Sequence, residues 1–233
     1  MRIYRCTPWS FRRLVALGVA ISFIRILSVM PLFGEELTKQ LSVSPDKRFT
    51  LVRIYVENDE DTPYVRIVEK KSGRNVGRIP KEGQAAHLDQ AEFRWAPNGL
   101  RLAYTLRAGG RYISTNLYQF KGGAFVELAS PEEKIGYAEI EQERLKRLEA
   151  AKMPKDVYQR RIWDTWRIKK WTANDVAELL VHSIRTCPIP DEDATFDLDL
   201  WIRYTLKFDA KGEWKVVKKH MLTDEEAKSE TDE

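Results

Sequence analysis

The sequence predicts a mainly β protein made of about three similar antiparallel units, with a helical insertion before the third. Most of the chain after residue 34 alternates between apolar and polar residues in short runs bounded by turn residues, as strands do. A turn containing Asp or Asn precedes such a run three times. One stretch, 131–162, has helical composition instead. With 43% hydrophobic and 11% aromatic residues, the 233-residue chain has enough apolar material for a packed core.

The formal net charge of +4 comes from the N-terminal segment. Of the 39 basic residues, five arginines lie in the first 34 positions, where no acidic residue occurs. The rest of the chain therefore has 34 basic residues against 35 acidic ones. Without a basic surplus, this part lacks the electrostatic signature of a nucleic-acid-binding protein. We expect no nucleic-acid partner.

Residues 1–34 are typical of a signal peptide or a membrane anchor. Residues 14–24 are eleven uncharged, mostly apolar residues, the length of a signal-peptide core. Continued through Arg25 to Phe33, the stretch has the roughly 20 residues that span a bilayer. No small-residue cleavage site precedes Glu35, which disfavours the first alternative, and a mid-span arginine disfavours the second. Both alternatives place the protein in the periplasm, free or anchored to the inner membrane and facing the periplasm.

Three segments repeat one pattern: a large apolar residue, a short turn with Asp or Asn, and an apolar strand-like run. Asp and Asn suit such turns because their side chains bond the local backbone. The segments are 41–56, 93–107 and 169–185, and their equivalent large apolar residues are Val43, Trp95 and Trp171. We expect Trp95 and Trp171 to pack between neighbouring units.

A second pattern comes after each of these segments, namely an alternating run, a Gly-containing turn and another β-rich run. It occurs at 64–79, 114–128 and 201–217. This is the sequence form of a β-hairpin. Each unit is therefore predicted to be a four-stranded antiparallel sheet, with two units in 35–130 and a third in 163–220.

The turns Ser44-Pro45-Asp46-Lys47 and Trp95-Ala96-Pro97-Asn98-Gly99 resemble those of the WD-type repeats in TolB-like β-propellers. The resemblance covers 37–128 and 163–218. The third copy departs from the motif, because it has Thr172-Ala173-Asn174-Asp175 at the turn. The resemblance implies propeller-like antiparallel blades and a protein-interaction role outside the cytoplasm.

Three blades do not close a ring, since propellers typically have four to eight. The chain either forms an open partial propeller or associates as a homodimer with six blades, and the insertion could cover an exposed edge. Residues 174–185 also fit a helix, but the hairpin pattern after them favours a strand.

Two further segments stand outside the repeats. In the insertion, Ser130 with Glu133 predicts a capping box, Pro131 suits the first helical position, and Pro154 ends the run. This helix lies on the sheet with one solvated face or binds a partner. The tail, 221–233, has six acidic residues after Thr223 and is predicted to be disordered.

No catalytic motif is present, so we expect neither an enzyme nor a bound cofactor. The histidines (His87, His182 and His220) are scattered, and Cys187 is a lone thiol beside Pro188. The loops between the second and third strands are acidic in the first and third units, at 57–63 and 190–199. The candidates for divalent-cation ligands in these loops are Asp59, Asp61, Asp191 and Asp193. The turns at the opposite end are basic and carry Lys70, Lys71, Arg74, Lys121 and Lys211.

The sequence thus predicts a non-enzymatic protein-interaction or scaffolding module of the bacterial envelope, with a protein partner. The first alternative is a ligand-binding protein that takes a divalent cation or a carbohydrate at its acidic loops. The second is an accessory subunit of an envelope enzyme.

Overall fold

The computed structural model describes residues 36–80, 88, 91–189 and 193–231. The chain divides into two units, Met1–Glu36 and Leu37–Glu233. The predicted signal or anchor segment, 1–34, lies outside the described residues. Except for Glu36, every described residue belongs to the second unit.

The described residues are mainly β, as predicted, with antiparallel sheets and two helices. The strands are β1 (Glu36–Val43), β2 (Phe49–Val56), β3 (Tyr64–Glu69), β4 (Arg74–Ile79), β5 (Glu92–Trp95), β6 (Arg101–Gly109), β7 (Tyr112–Lys121), β8 (Ala124–Glu127), β9 (Arg160–Ala173), β10 (Val176–Pro188), β11 (Thr195–Phe208) and β12 (Trp214–Met221). The helices are α1 (Tyr137–Ala150) and α2 (Asp224–Thr231).

Consecutive strands pair in three groups of four. The first meander is β1–β4, the second is β5–β8 and the third is β9–β12. The first meander is a separate sheet, whereas the other two join through parallel pairing of β7 with β9 at Tyr112↔Asp164 and Ile113↔Thr165. The second and third meanders therefore form one eight-stranded sheet, and no closed sheet occurs in the described part of the chain.

The first two meanders share one turn geometry between their first and second strands. In the first turn, Lys47 has φ of 60° and its N–H donates to the Ser44 carbonyl at 2.8 Å. In the second, Gly99 has φ of 68° and donates to the Ala96 carbonyl at 2.9 Å. The Asx side chain bonds the amide two residues on in both, Asp46 to Arg48 at 3.1 Å and Asn98 to Leu100 at 3.0 Å. The first two turns that the sequence pattern singled out thus share their backbone geometry.

The third turn is a tight two-residue hairpin at Asn174 and Asp175, closed by the pair Val176↔Ala173. Residues 176–188 form strand β10, which settles the choice between helix and strand in favour of the strand. Both neighbours, β9 and β11, pair along nearly its whole length. This two-sided pairing overrides the helical spacing of its apolar residues.

Two apolar clusters hold the meanders together. One joins Phe49, Leu51 and Ile67 of the first meander to Leu102 and Tyr104 of the second. The other uses the opposite face of the second meander and packs it against the third and against α1. Since side chains alternate across a strand, β6 contributes Leu102 and Tyr104 to the first cluster and Ala103 to the second.

Helix α1 is shorter than the insertion predicted at 131–162, and the predicted capping box at Ser130 is wrong. Residues after Pro131 form turns, and the helix begins at Tyr137. Gly136 precedes it with φ of 105°, where a Cβ atom would lie 2.8 Å from Nε1 of Trp166. The indole N–H donates to the Ile135 carbonyl at 3.0 Å. Packing against the buried Trp166 therefore fixes the start of α1.

The acidic tail contains helix α2, which differs from the disorder predicted for 221–233; residues 232–233 lie outside the described part. Thr223 Oγ1 accepts the Glu226 N–H at 3.3 Å, and the Glu226 carboxylate accepts the Thr223 N–H at 2.9 Å, which forms a capping box. Glu230 then makes ion pairs with Lys169, at 3.2 Å, and with Arg203. Capping and docking onto basic strands order a segment whose composition alone predicts disorder.

Candidate functional site

A groove of about 450 Å³ lies on the third meander, between the first half of β11 and helix α2. Its lining combines an aromatic ring with charges of both signs. The aromatic and charged residues that line it are Trp201, Asp197, Asp199, Asp224, Arg147 and Lys228.

The alternation of β11 sends three of these side chains to the groove. Leu198 and Leu200 are fully buried on the inner face of the sheet. Asp197, Asp199 and Trp201 alternate with them and therefore lie on the outer face. The same pattern that builds the core thus builds the groove.

The indole of Trp201 is held in place by His182 on the neighbouring strand. The two residues are paired across β10 and β11, and their rings stack with centroids 3.6 Å apart and planes 14° from parallel. His182 Nε2 lies 2.9 Å from Asp199 Oδ1. A ring anchored in this way loses little conformational freedom when a ligand contacts it.

The carboxylates at the groove differ in how far they are engaged. Asp197 accepts a hydrogen bond from the Thr186 hydroxyl at 2.8 Å. The Asp199 side chain is 55% exposed, although it contacts His182. Arg147 of α1 donates to the main-chain carbonyl of Asp199 at 3.0 Å. Negative charge and solvent access therefore coincide along this part of β11.

The groove lies beside an open strand edge. The ladder between β11 and β12 begins at Ile202↔Met221, and the Leu222 N–H donates to the Trp201 carbonyl at 2.9 Å just beyond it. No strand in the described part of the chain pairs with residues 195–199 on this side.

The direction of the main-chain groups on this edge follows from two hydrogen bonds. The Ala194 carbonyl accepts from Ile189 on the β10 side, whereas the Trp201 carbonyl accepts on the β12 side. Main-chain groups alternate between the two sides of an antiparallel strand. Residues Thr195, Asp197 and Asp199 therefore direct their N–H and C=O groups toward the open edge, where Arg147 occupies one carbonyl.

The predicted cation ligands are not brought into a metal cluster by the described residues. The Asp59 carboxylate accepts the Asp61 N–H at 2.9 Å, and Asp61 Oδ2 lies 3.8 Å from Arg78. Asp193 lies in the loop before β11, and Asp191 falls outside the described residues. Among the residues described, no group of three or more His, Cys, Asp or Glu side chains could hold a metal ion. The divalent-cation site stays a prediction.

Trp95 and Trp171 make equivalent contacts between meanders. Trp95 Nε1 donates to Ser42 Oγ of the first meander at 3.2 Å. Trp171 Nε1 donates to the Arg94 carbonyl of the second at 3.0 Å. Each acceptor directly precedes the repeat-equivalent residue of the preceding meander, Val43 or Trp95. Both indoles therefore pack between neighbouring meanders, as the sequence predicts, and neither lines the groove.

The remaining candidate side chains have local roles. Cys187 is fully buried, and burial raises the pKa of its thiol. His220 contacts the Glu226 carboxylate at 3.0 Å, next to the cap of α2. His87 lies outside the described residues.

A buried ion pair that sequence reasoning missed lies where the second and third meanders join. The Asp164 side chain is fully buried and accepts two hydrogen bonds from Arg185, at 2.7 and 3.1 Å. Arg161 Nε lies 2.9 Å from the same carboxylate. The Asp164 N–H donates to the Arg111 carbonyl at 3.0 Å, where β9 meets β7. This buried ion pair therefore stabilises the junction between the second and third meanders and is not a surface site.

Comparisons with known proteins give no match: no protein-family model fits the chain, and neither a curated protein nor a solved structure is significantly similar to it. The resemblance to TolB-like propellers therefore rests on the turn motifs. Among the described residues, neither helix has the length and apolar character needed to cross a membrane.

The groove was only partly visible in the sequence. Asp197 and Asp199 fall within the acidic stretch 190–199, but the interpretation centred on Asp191 and Asp193. Trp201 and His182 gave no signal, because their contact depends on the cross-strand register. The alternation of Asp197, Asp199 and Trp201 with Leu198 and Leu200 was the available sign of one shared face.

Proposed function

We propose that this chain is a non-enzymatic protein-interaction module of the bacterial envelope, exported or anchored by its N-terminal segment. The observation that carries the proposal is the groove on the third meander, which lies beside an open strand edge. A fixed Trp201 and neighbouring charges suit recognition, since aromatic and charged anchors contribute most to protein interfaces.

A propeller-like arrangement of the three meanders is part of this proposal. Two features support it: the turn geometry shared by the first two meanders, and the equivalent contacts of Trp95 and Trp171 between successive first strands. Arg167 of β9 also donates to the Glu92 carboxylate of β5 at 3.2 Å. Side-chain contacts thus link the first strands of successive meanders, β1 to β5 and β5 to β9, which supports a propeller-like arrangement with these strands innermost.

Site-specific photo-crosslinking in living cells tests the function. A benzophenone amino acid replaces Lys228, at the groove, or Tyr55, which is 42% exposed on the first meander. We expect a protein adduct from position 228, weakened by Asp197→Asn with Asp199→Asn, and no such adduct from position 55. Adducts of equal yield at both positions, or none at either, would contradict the proposal. An adduct with the mass of two chains would identify a homodimer.

A carbohydrate ligand is the second candidate, and Trp201 beside two carboxylates is the observation that favours it. A sugar ring can pack on an indole while its hydroxyl groups donate to carboxylates. Titration with envelope oligosaccharides, followed by tryptophan fluorescence, tests this reading. We expect saturable binding that Trp201→Ala abolishes, and no response from the wild-type chain would exclude it.

A further inference from the structure

We propose that the groove binds an extended cationic peptide segment, which adds as a fifth strand to the third meander at residues 195–199 of β11. This inference rests on the proposed protein-interaction function and names the class of partner. Main-chain geometry and side-chain charge support it independently.

The main chain supplies the first support. Thr195, Asp197 and Asp199 direct N–H and C=O groups to the open edge, and Trp201 marks where pairing with β12 stops. An edge of this kind pairs with any extended chain that presents a complementary row of groups. An extended peptide presents alternating donors and acceptors at the repeat of a strand, whereas a metal ion cannot accept the N–H groups of such a row.

Side-chain charge supplies the second support and selects the sequence of the peptide. Asp197 and Asp199 lie on one face of β11, about 7 Å apart along the strand. Residues that alternate along an added strand face them directly, and opposite charges across a pair are favourable. Asp224 at the start of α2 adds a third carboxylate to the groove. The partner should therefore carry Lys or Arg at every second position.

The same carboxylates exclude competing strands. Charged side chains on an edge strand oppose edge-to-edge association. A second copy of β11 would place aspartates opposite aspartates, and an acidic or neutral strand gains nothing from them. The edge thus stays open to a cationic segment.

Arg147 competes with the peptide for this edge. Its guanidinium donates to the Asp199 carbonyl that an added strand would use, and its charge repels a cationic chain. The arginine is also held by Glu143 at 3.5 Å, so it can withdraw without losing every partner. We expect Arg147→Ala to tighten peptide binding.

Fluorescence anisotropy with the full-length chain in mild detergent tests the proposal. The probe is the labelled peptide Thr-Lys-Val-Lys-Val-Lys-Thr, with Thr-Glu-Val-Glu-Val-Glu-Thr as the charge-reversed control. We expect only the lysine peptide to bind. Replacing both Asp197 and Asp199 by Asn should weaken binding about tenfold, since two opposite-charge pairs are lost. The charge-matched control, Asp59→Asn with Asp61→Asn, should leave binding unchanged, and equal losses in the two double variants would overturn the assignment to β11.

Two N-methylated forms of the lysine peptide test strand addition itself. One carries N-methyl groups on its lysines, and the other on its valines and last threonine. Because N–H groups alternate between facing β11 and facing solvent, one form should lose binding and the other should keep it. Equal affinities for the two forms would overturn strand addition. If no lysine peptide binds while position 228 still crosslinks to a protein, this inference fails and the proposed function stands; if both fail, the function fails as well.

Discussion

The buried pair of Asp164 and Arg185 gives the sharpest stability prediction. Asp164→Asn keeps the size of the side chain and removes its charge, which leaves the Arg185 guanidinium without its fully buried counter-ion. Removing one member of a buried pair costs about 3–5 kcal/mol. Arg161 and Arg185 both pair with this carboxylate, so the substitution leaves two cations without the anion that they share. We expect a loss of about 3 kcal/mol or more.

Urea unfolding followed by tryptophan fluorescence measures this loss. The matched control is Glu178→Gln, which removes the partly exposed pair with Lys170 at 3.4 Å on the outer face. Exposed pairs contribute about 0–1 kcal/mol, so the control should change little. The double variant Asp164→Leu with Arg185→Met should recover much of the stability, because apolar pairs of similar volume often replace buried ion pairs. A cost below about 1 kcal/mol for Asp164→Asn would refute the reasoning.

Three further outcomes are expected from single sites. Gly99→Ala should lower the free energy of unfolding by about 1–3 kcal/mol more than Gly73→Ala. Both glycines have φ of 68°, but only a Cβ atom at Gly99 would meet the Asp46 carboxylate, at 2.4 Å. Equal losses for the two variants in urea unfolding would contradict this. Hydrogen bonding to the Thr223 main chain lowers the pKa of Glu226 from 4.5 to about 2, so its stabilisation of α2 is complete above pH 4.5 and is lost as the pH falls through about 2. The protection of the α2 amides against exchange, relative to their intrinsic rates, should fall more over that range in the wild-type chain than in Glu226→Gln, because the Glu230 ion pairs are lost in acid in both; equal losses of protection in the two would refute the cap. The Cys187 thiol is buried and its pKa is raised. In a Cys6→Ser variant, which leaves Cys187 as the single thiol, it should resist Ellman's reagent at pH 8 until urea unfolds the chain. Rapid labelling of the folded chain would contradict this.

Local sequence signals predicted most of the strands, since each depends on nearby residues. The Pro-Asx turns at Asp46 and Asn98 fix their own geometry through side-chain bonds to the backbone. Alternation along β11 places Leu198 inside and Asp197 outside whatever the rest of the fold does. The mainly β class followed from these features.

The errors had two causes: tertiary contacts that outweigh local preference, and one local signal that was overlooked. Pro131 and Glu133 form a credible helix start, but packing of Gly136 against Trp166 moves the start of α1 to Tyr137. The disorder expected for the tail overlooked the capping box of Thr223 and Glu226, which the sequence does contain. The ion pairs that dock α2 through Glu230 could not be inferred without the fold.

The candidate site was predicted only as an acidic region. The acidic stretch 190–199 includes Asp197 and Asp199, yet their role depends on where β12 ends. That end is set by the pairing of Met221 and Leu222 with β11, and no local sequence pattern predicts this register. The stacking of His182 on Trp201 likewise requires the register of β10 with β11.

Amide hydrogen exchange at Asp197 and Asp199, measured by NMR with and without the lysine peptide, tests the open edge most directly. The fold directs both N–H groups to the groove, where they lack a strand partner, while Leu198 and Leu200 face β10. The account predicts fast exchange at the two aspartates in the free protein, marked slowing when the peptide binds, and little change at the two leucines. Bound peptide with unchanged exchange at Asp197 and Asp199 would contradict it.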